Sequence, residues 1–341
     1  MKRNMNDWSR AIINSSQRVA MPIMTYPGLE LTGKSVKEVV TDGQSQFEVM
    51  KCLAENFPSA AAVTIMDLSV EAEAFGSPVA FHDDDVPTVT TNIVSDKASI
   101  EALEIPSVTK GRCPAYIRAA ELGAKHIKDR PTFGGMIGPF SLASRLYDMT
   151  QIMMGLIMEP DNIHLLLEKC TRFLIDYAQE FKNKGANGII IAEPAAGLLS
   201  LEHCDEFSSR YVQKIVDSVQ DSNFLIILHN CGNTQHLVGS MVSTGAKGFH
   251  FGNAVDMAEI LPLVPAERLA FGNIDPARTF RKGTTELVAK QTWELLEKTA
   301  NYKNFVLSSG CDIPPFTPLA NVETFFSTLE EFNHKCQKKI G

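Results

Sequence analysis

The string FLIILHNCGNT, at residues 224–234, places His229 and Cys231 two residues apart at the end of an apolar run. In extended backbone, residues i and i+2 point to the same side, so the imidazole and the thiol would face one point. Cys311 lies 80 residues after Cys231, in SSGCDIPP, and it also follows an apolar run. A histidine with two cysteines is a ligand set that suits zinc. The two strings therefore predict a metal site made by His229, Cys231 and Cys311.

The spacing of these three residues is typical of a catalytic site rather than a structural one. Structural zinc sites usually close four ligands from local pairs such as C-x-x-C, whereas here three ligands come from two distant strand ends. Two thiolates balance the charge of the ion, which can still bind a thiol and favour its deprotonation at neutral pH. The chemistry that this predicts is the transfer of an alkyl group to a thiol.

The other cysteines and histidines lack this context. An odd, dispersed set of seven cysteines favours free thiols or metal ligands over a disulfide framework. We interpret the remaining five as structural: Cys52, Cys113, Cys170, Cys204 and Cys336. His250 would point either into a barrel or onto a helix, and both interpretations stay open.

The spacing of apolar residues along the chain predicts the strands and helices that must position these residues. Strand-like apolar runs lie at 19–25, 61–66, 132–137, 187–192, 224–228, 247–251, 268–272 and 304–309. Helical patterns lie at 34–56, 141–157, 160–184, 203–220, 233–244, 283–300 and 321–336. Strands that alternate with helices predict a parallel sheet covered by helices. Eight strands predict a closed TIM (β/α)8 barrel, with a doubly wound open sheet as the competing arrangement.

A barrel of this kind carries its chemistry at the C-terminal ends of its strands. The polar residues expected there are Asp67, Glu193, His229, Asn273, Asp275 and Cys311. The stretch 67–130 is longer and more polar than a barrel loop. We interpret it as an insertion near the barrel mouth, within a single domain that spans 1–341.

Composition and charge exclude some classes of function. Hydrophobic residues make up 44% of the chain and charged residues 21%, as in an ordinary globular protein. The formal net charge of -8 argues against a nucleic-acid partner, because phosphate contacts need a basic face. No apolar run approaches the ~18–20 residues of a membrane span, and the N-terminus lacks the apolar core of a secretory signal. A cytoplasmic protein is expected.

The two metal-binding strings resemble those of the uroporphyrinogen decarboxylase superfamily. Within it, the chain is similar to the methylcobamide:coenzyme M methyltransferases, whose signature is H-x-C followed later by a single cysteine. Here the signature reads HNCG at 229–232 and SSGCDIPPFTPLANV at 308–322. The family's closing pattern G-C-x-I-x-P-x-T-P-x-x-N-V is matched throughout, and the similarity extends from about Pro22 to the C-terminal helix.

The resemblance implies a zinc-dependent transfer of a methyl group from a methyl-corrinoid, carried on a separate corrinoid protein, to a small-molecule acceptor. The acceptor is coenzyme M, another thiol or tetrahydrofolate. The resemblance implies His229, Cys231 and Cys311 as zinc ligands, with water, Glu193 or the substrate in the exchangeable fourth position. We expect Asp67 to orient the substrate or stabilise a polar group. If the acceptor is tetrahydrofolate, Asn253, Asn273 and Asp275 are the candidates to hold the pterin. Decarboxylase relatives often dimerise, so a homodimer is one option.

Three alternatives stay open. A uroporphyrinogen decarboxylase is disfavoured because the R-Q-A-G-R motif is absent and those enzymes carry histidine in place of Cys311. A cobalamin-independent homocysteine methyltransferase has a similar site, but this chain is half the usual length. A non-enzymatic corrinoid- or tetrapyrrole-binding module would not need the intact ligand set. The fourth zinc ligand is a separate open question. Methanol-pathway relatives have a pair of glutamates, one of which could be that ligand, where this chain has Gly252 and Asn253.

Overall fold

A computed structural model describes residues 3–338 of the chain, and a single parallel sheet is at its centre. Its neighbouring strands follow chain order, β1-β4-β5-β6-β7-β8-β9, whereas a doubly wound sheet would reverse its order at a switch point. The strands are β1 Ala62–Val63, β2 Val79–Ala80, β3 Thr88–Val89, β4 Thr132–Ile137, β5 Gly188–Ala192, β6 Leu225–Asn230, β7 Gly248–Phe251, β8 Leu269–Ile274 and β9 Phe305–Ser309. β2 and β3 form a separate antiparallel hairpin. The prediction of a TIM-barrel α/β fold is confirmed.

The segment predicted as the first strand, 19–25, lies between the two edge strands β9 and β1. Ala20 makes a parallel bridge to Leu307 of β9, and on the other side the amide of Ala60 donates to the carbonyl of Ala20 at 2.8 Å. The segment forms one bridge instead of a full ladder. One reason is Pro22, which has no N–H to donate.

Side chains alternate between the inside of the barrel and the helix layer. Ile227 of β6 belongs to an inner cluster that also contains Phe133 and Phe271. Its neighbour Leu228 belongs to the larger cluster between the sheet and the helices. Because the period of a strand is two, His229 has the same orientation as Ile227 and points into the barrel. The amphipathic helix α1, Met5–Asn14, adds its apolar side chains to the inner cluster.

Some of the helices that surround the sheet match the predicted ranges, and others are divided. They are α2 Gly28–Thr32, α3 Val36–Thr41, α4 Gly43–Asn56, α5 Val70–Ala74, α6 Lys97–Ala102, α7 Cys113–His126, α8 Pro139–Leu146, α9 Met149–Met158, α10 Pro160–Asn183, α11 Leu201–Cys204, α12 Arg210–Val219, α13 Val238–Ser243, α14 Met257–Ile260, α15 Thr285–Lys298 and α16 Leu319–Lys338. The helix predicted at 34–56 is divided at Asp42, whose side chain caps α4 by accepting from the amide of Ser45. The helix predicted at 141–157 is divided at Asp148, which caps α9 with a positive φ of 101°. The helices predicted at 160–184, 283–300 and 321–336 are each continuous, as α10, α15 and α16.

Across residues 3–338 we find no helix with the combined length and apolarity needed to cross a membrane.

The stretch 67–130 contains α5, the β2–β3 hairpin, α6 and α7. Its last helix, α7, packs on α4 through Ala119 and Leu122, which contact a small cluster with Phe47 and Met50. The interpretation of this stretch as an insertion in a single domain stays a prediction.

Candidate metal centre

The structure brings His229, Cys231 and Cys311 together at the C-terminal end of the sheet. Their potential ligand atoms all lie within 4.8 Å of one another. The strand β6 runs two residues further than predicted, so His229 lies inside it and Cys231 follows its end directly. Cys311 lies two residues beyond β9. Two strands separate β6 from β9 in the sheet, and the curvature of the barrel brings the two ends to one point.

The three side chains fit a zinc ion. His229 is 1% exposed, and its Nε2 atom is buried without a hydrogen-bond partner among the described residues. Leaving a buried ring nitrogen unsatisfied costs about 1–3 kcal/mol, so such an atom calls for a ligand. With two thiols as the other donors, the set matches the nitrogen and sulfur ligands that zinc prefers.

The two thiols are coupled. The contacts of Cys231 with Cys311 and with His229 lower its pKa. The same contact with Cys231, together with burial, raises the pKa of Cys311. Cys231 is therefore the thiol that ionises first, as a metal ligand must.

A glycine contact fixes the position of Cys231. A Cβ atom on Gly252, directly after β7, would lie 2.5 Å from Cys231 Cα and 2.6 Å from its carbonyl oxygen. Only glycine permits this approach of two backbones. Gly252 therefore lets the backbone after β7 pack against the loop that carries Cys231.

Glu193, predicted as an exchangeable fourth ligand, lies outside the three-residue cluster. Its Oε1 accepts from the amide of Phe140 at 2.8 Å, and its Oε2 accepts from the amide and the hydroxyl of Ser141. The carboxyl group thus caps the first turn of α8. Burial raises the pKa of Glu193 to about 7. Its role as a metal ligand stays a prediction, which these hydrogen bonds do not favour.

Asp67, predicted to orient the substrate, is 6% exposed and has four donors. Its Oδ1 accepts from the amide and the hydroxyl of Ser69, and its Oδ2 accepts from Arg112 and from Tyr116 at 2.9 Å. Arg112 also pairs with Glu73 at 2.6 Å. Asp67 therefore connects the end of β1 to the start of α7, and its contact with substrate stays a prediction.

The three residues predicted to hold a pterin lie beside one another. The amide group of Asn253 donates to Asp275 at 3.0 Å, while that of Asn273 donates to the carbonyls of Gly252 and Val255. Asn273 lies within β8 instead of after it. All three line a cleft of about 700 Å³ beside α15, so they are close enough to share one ligand.

Sequence reasoning missed two polar side chains that each have a buried oxygen atom, and one of them directly follows Cys311. The Oδ1 atom of Asp312 and the hydroxyl of Tyr26 are buried without a partner among the described residues. Burial raises the pKa of Asp312 to about 7. Tyr26 directly follows the predicted strand 19–25, and Asp312 directly follows Cys311. The strand-end rule that selected the other candidates would have found both.

Comparison with known proteins identifies the family of this chain. A sequence model of the family described as uroporphyrinogen decarboxylase (URO-D) matches residues 15–332. A methylcobamide:CoM methyltransferase, MtbA of Methanosarcina acetivorans, is 30% identical over 79% of this chain and 78% of its own length. A uroporphyrinogen decarboxylase of Anaeromyxobacter dehalogenans is 26% identical over 82% of this chain and 83% of its own length.

The fold also matches a solved structure. A methyltransferase from Methanosarcina mazei superposes with a TM-score of 0.86 at 24% identity, covering 96% of this chain and 99% of that one. The resemblance inferred from the two metal-binding strings is confirmed. This chain belongs to the uroporphyrinogen decarboxylase (URO-D) family.

Proposed function

We propose that this protein is a zinc-dependent methyltransferase that moves a methyl group from a protein-bound methyl-corrinoid to a thiol such as coenzyme M. The observation that carries the proposal is the cluster of His229, Cys231 and Cys311, in which a buried imidazole nitrogen without a partner faces two thiols. The relative with 30% identity, a methylcobamide:CoM methyltransferase, supports the corrinoid donor and the thiol acceptor.

The proposed reaction takes place at the open end of the barrel. Zinc held by His229, Cys231 and Cys311 would lower the pKa of an acceptor thiol, so that a thiolate is available at neutral pH. The acceptor sulfur attacks the methyl carbon, a carbon–sulfur bond forms, and the carbon–cobalt bond breaks with its electron pair remaining on cobalt. The thiol proton passes to solvent. The sequence contains no D-x-H-x-x-G motif, and we propose that a separate partner protein carries the corrinoid.

Tetrahydrofolate is the other acceptor that the sequence left open. In that case zinc need not bind the acceptor through sulfur, and the neighbouring Asn253, Asn273 and Asp275 would hold the pterin. The cleft of about 700 Å³ that these residues line supports this variant of the proposal. The cytoplasmic location and a homodimer stay predictions.

The decarboxylase is the weaker candidate. It has a relative at 26% identity in its favour. Two observations disfavour a decarboxylase. Cys311 stands where those enzymes carry histidine, and the Asp67 carboxylate already accepts hydrogen bonds from Ser69, Arg112 and Tyr116. A binding module without chemistry would not need a zinc ion.

The test combines metal content with turnover. Wild-type protein loaded with zinc is mixed anaerobically with methylcobalamin and, separately, coenzyme M, homocysteine or tetrahydrofolate, and the methylcobalamin absorbance is followed. We expect a zinc-dependent loss of absorbance with a thiol. The variant Cys311→Ala is expected to lose both zinc and turnover while it remains folded.

The matched control is Cys52→Ala, because Cys52 is a half-buried thiol on α4, remote in sequence from the metal strings. It is expected to keep one zinc per chain and full turnover. Full zinc content and full activity in Cys311→Ala would disprove the metal assignment. If methylcobalamin is consumed with tetrahydrofolate and with neither thiol, the acceptor is tetrahydrofolate and not a thiol.

A further inference from the structure

We infer that His250 is a positioning residue for His229, at the centre of a hydrogen-bond chain formed by Met21, Ser308, His250 and His229. We refer to these four residues as the His250 chain. The inference rests on the proposed zinc site, because it concerns which nitrogen of His229 faces the metal. His250 is 1% exposed and lies opposite His229 in the register of β6 and β7.

The contacts of the chain are short and continuous. The Nδ1 atoms of His250 and His229 are 2.8 Å apart. The Nε2 atom of His250 is 2.9 Å from the hydroxyl of Ser308, which donates to the carbonyl oxygen of Met21 at 2.7 Å. The Nδ1 atom of His229 also lies 3.2 Å from the carbonyl oxygen of His250.

The direction of the chain follows from its two carbonyl groups, because a carbonyl oxygen can only accept. Ser308 has one hydroxyl proton, which it donates to the carbonyl oxygen of Met21. The hydroxyl oxygen must therefore accept from His250 Nε2–H. In the neutral imidazole the other nitrogen then has a lone pair, so His250 Nδ1 accepts from His229 Nδ1–H. The carbonyl of His250 requires the same proton on His229 Nδ1.

This direction leaves the lone pair of His229 on Nε2, which is the buried atom without a partner among the described residues. The chain therefore selects the tautomer that can bind a metal and holds the ring in place. His250 itself is no candidate for the fourth ligand, since both of its nitrogens are engaged. Partners of this kind, which fix the tautomer of a metal-binding histidine, typically change metal affinity 10–100-fold when they are removed.

The decisive variant is His250→Phe, which keeps a ring of similar shape next to Phe271, 6.2 Å away between ring centres. Zinc affinity is measured by competition with a chromophoric chelator, which needs no enzymatic activity. We expect about 10–100-fold weaker binding in His250→Phe. His250→Asn returns a side-chain oxygen that can accept from His229, and it is expected to recover part of the affinity.

The matched control is His236→Phe, because His236 is exposed and contacts the carbonyl of Leu199, outside the His250 chain. Its zinc affinity is expected to equal that of the wild type. Chemical denaturation of each variant reports the loss of packing separately, so a purely structural role of His250 would lower stability and leave affinity unchanged.

The second readout is ¹⁵N NMR of the imidazole nitrogens in the metal-free wild type, which shows where the proton of His229 lies. We expect it on Nδ1. A proton on Nε2, or equal zinc affinity in His250→Phe and wild type, would overturn the inference. A wild type that binds no zinc would instead refute the proposed metal site, and the NMR result would still decide the direction of the chain.

Discussion

The pKa of the Glu71 carboxyl group is determined mainly by burial, and less by its hydrogen bonds and by neighbouring charges. The side chain lies on α5 and is 1% exposed. Its Oε1 accepts from the amide of Ile137 at 2.9 Å, while its Oε2 has no partner among the described residues. Burial raises the pKa of Glu71 from 4.5 to about 8. The folded protein therefore holds a proton here at neutral pH that the unfolded chain releases.

This proton makes stability depend on pH. Below about pH 4.5 Glu71 is protonated in both the folded and the unfolded state, so this residue does not reduce the free energy of unfolding. As the pH rises towards 8, the free energy of unfolding falls by up to about 1.4 kcal/mol per pH unit from this residue. We expect Glu71→Gln to remove that part of the slope, so that the variant gains stability relative to wild type between pH 5 and about 8.

Chemical denaturation at a series of pH values measures the effect. The control is Glu323→Gln, an exposed glutamate on α16, which should give a curve parallel to that of the wild type. Parallel curves for Glu71→Gln and wild type across this range would contradict a buried, protonated Glu71.

At the scale of elements, the ends of β6 and β9 position the three proposed metal ligands, and Glu193 contacts the N-terminus of α8. The alternation along β6 points His229 inward, and the register with β7 puts His250 next to it. Glu193, directly after β5, caps the N-terminus of α8 with both of its oxygens. The buried amides at that terminus would otherwise lack partners.

Replacing Glu193 separates its two candidate roles. Glu193→Gln places an amide group against the N–H donors of α8, so one of them loses its acceptor. We expect the free energy of unfolding to fall by about 1–2 kcal/mol. Zinc affinity is expected to stay at the wild-type value, because the carboxylate faces α8. If Glu193→Gln stays folded but binds zinc more weakly than the wild type, Glu193 is instead established as the fourth ligand.

At the scale of the whole molecule, the barrel closes through its first and last segments. The amide of Arg18 donates to Asn333 of α16 at 2.7 Å, and the Asn333 side chain donates back to the carbonyl of Arg18 at 2.9 Å. The Arg18 guanidinium also donates to the carbonyls of Ala300 and Tyr302. These bonds hold the segment 19–25 at the seam between β9 and β1.

Removing the connection at α16 should weaken the seam. Asn333→Ala leaves the backbone amide and carbonyl of Arg18 without their partners, which we expect to lower the free energy of unfolding by about 1–3 kcal/mol. The control Glu323→Ala removes an exposed side chain from the same helix and should change stability little. Equal stability of the two variants, measured by chemical denaturation, would show that the seam does not depend on Asn333.

The sequence by itself predicted the fold class, which the structure confirms, and the three proposed metal ligands. Both depend on local patterns: apolar runs that alternate with amphipathic helices, and an H-x-C step at a strand end. The period of a strand alone turns His229 and Cys231 to the same side. The closing string around Cys311 carries the family resemblance because its residues lie next to one another in the chain.

The tertiary structure alone decided what these residues contact. His250 was left open because its neighbour depends on the register between β6 and β7, which no single string contains. Glu193 and Asp67 are predicted at the rim as a metal ligand and a substrate contact, and the sequence does not show that Glu193 accepts from α8 or that Asp67 accepts from Tyr116 of α7. The first strand was predicted as a full strand, since periodicity does not show that only one bridge forms at the seam. Hydrogen-bond partners distant in sequence are fixed only when the barrel closes, and for this reason the sequence alone could not supply them.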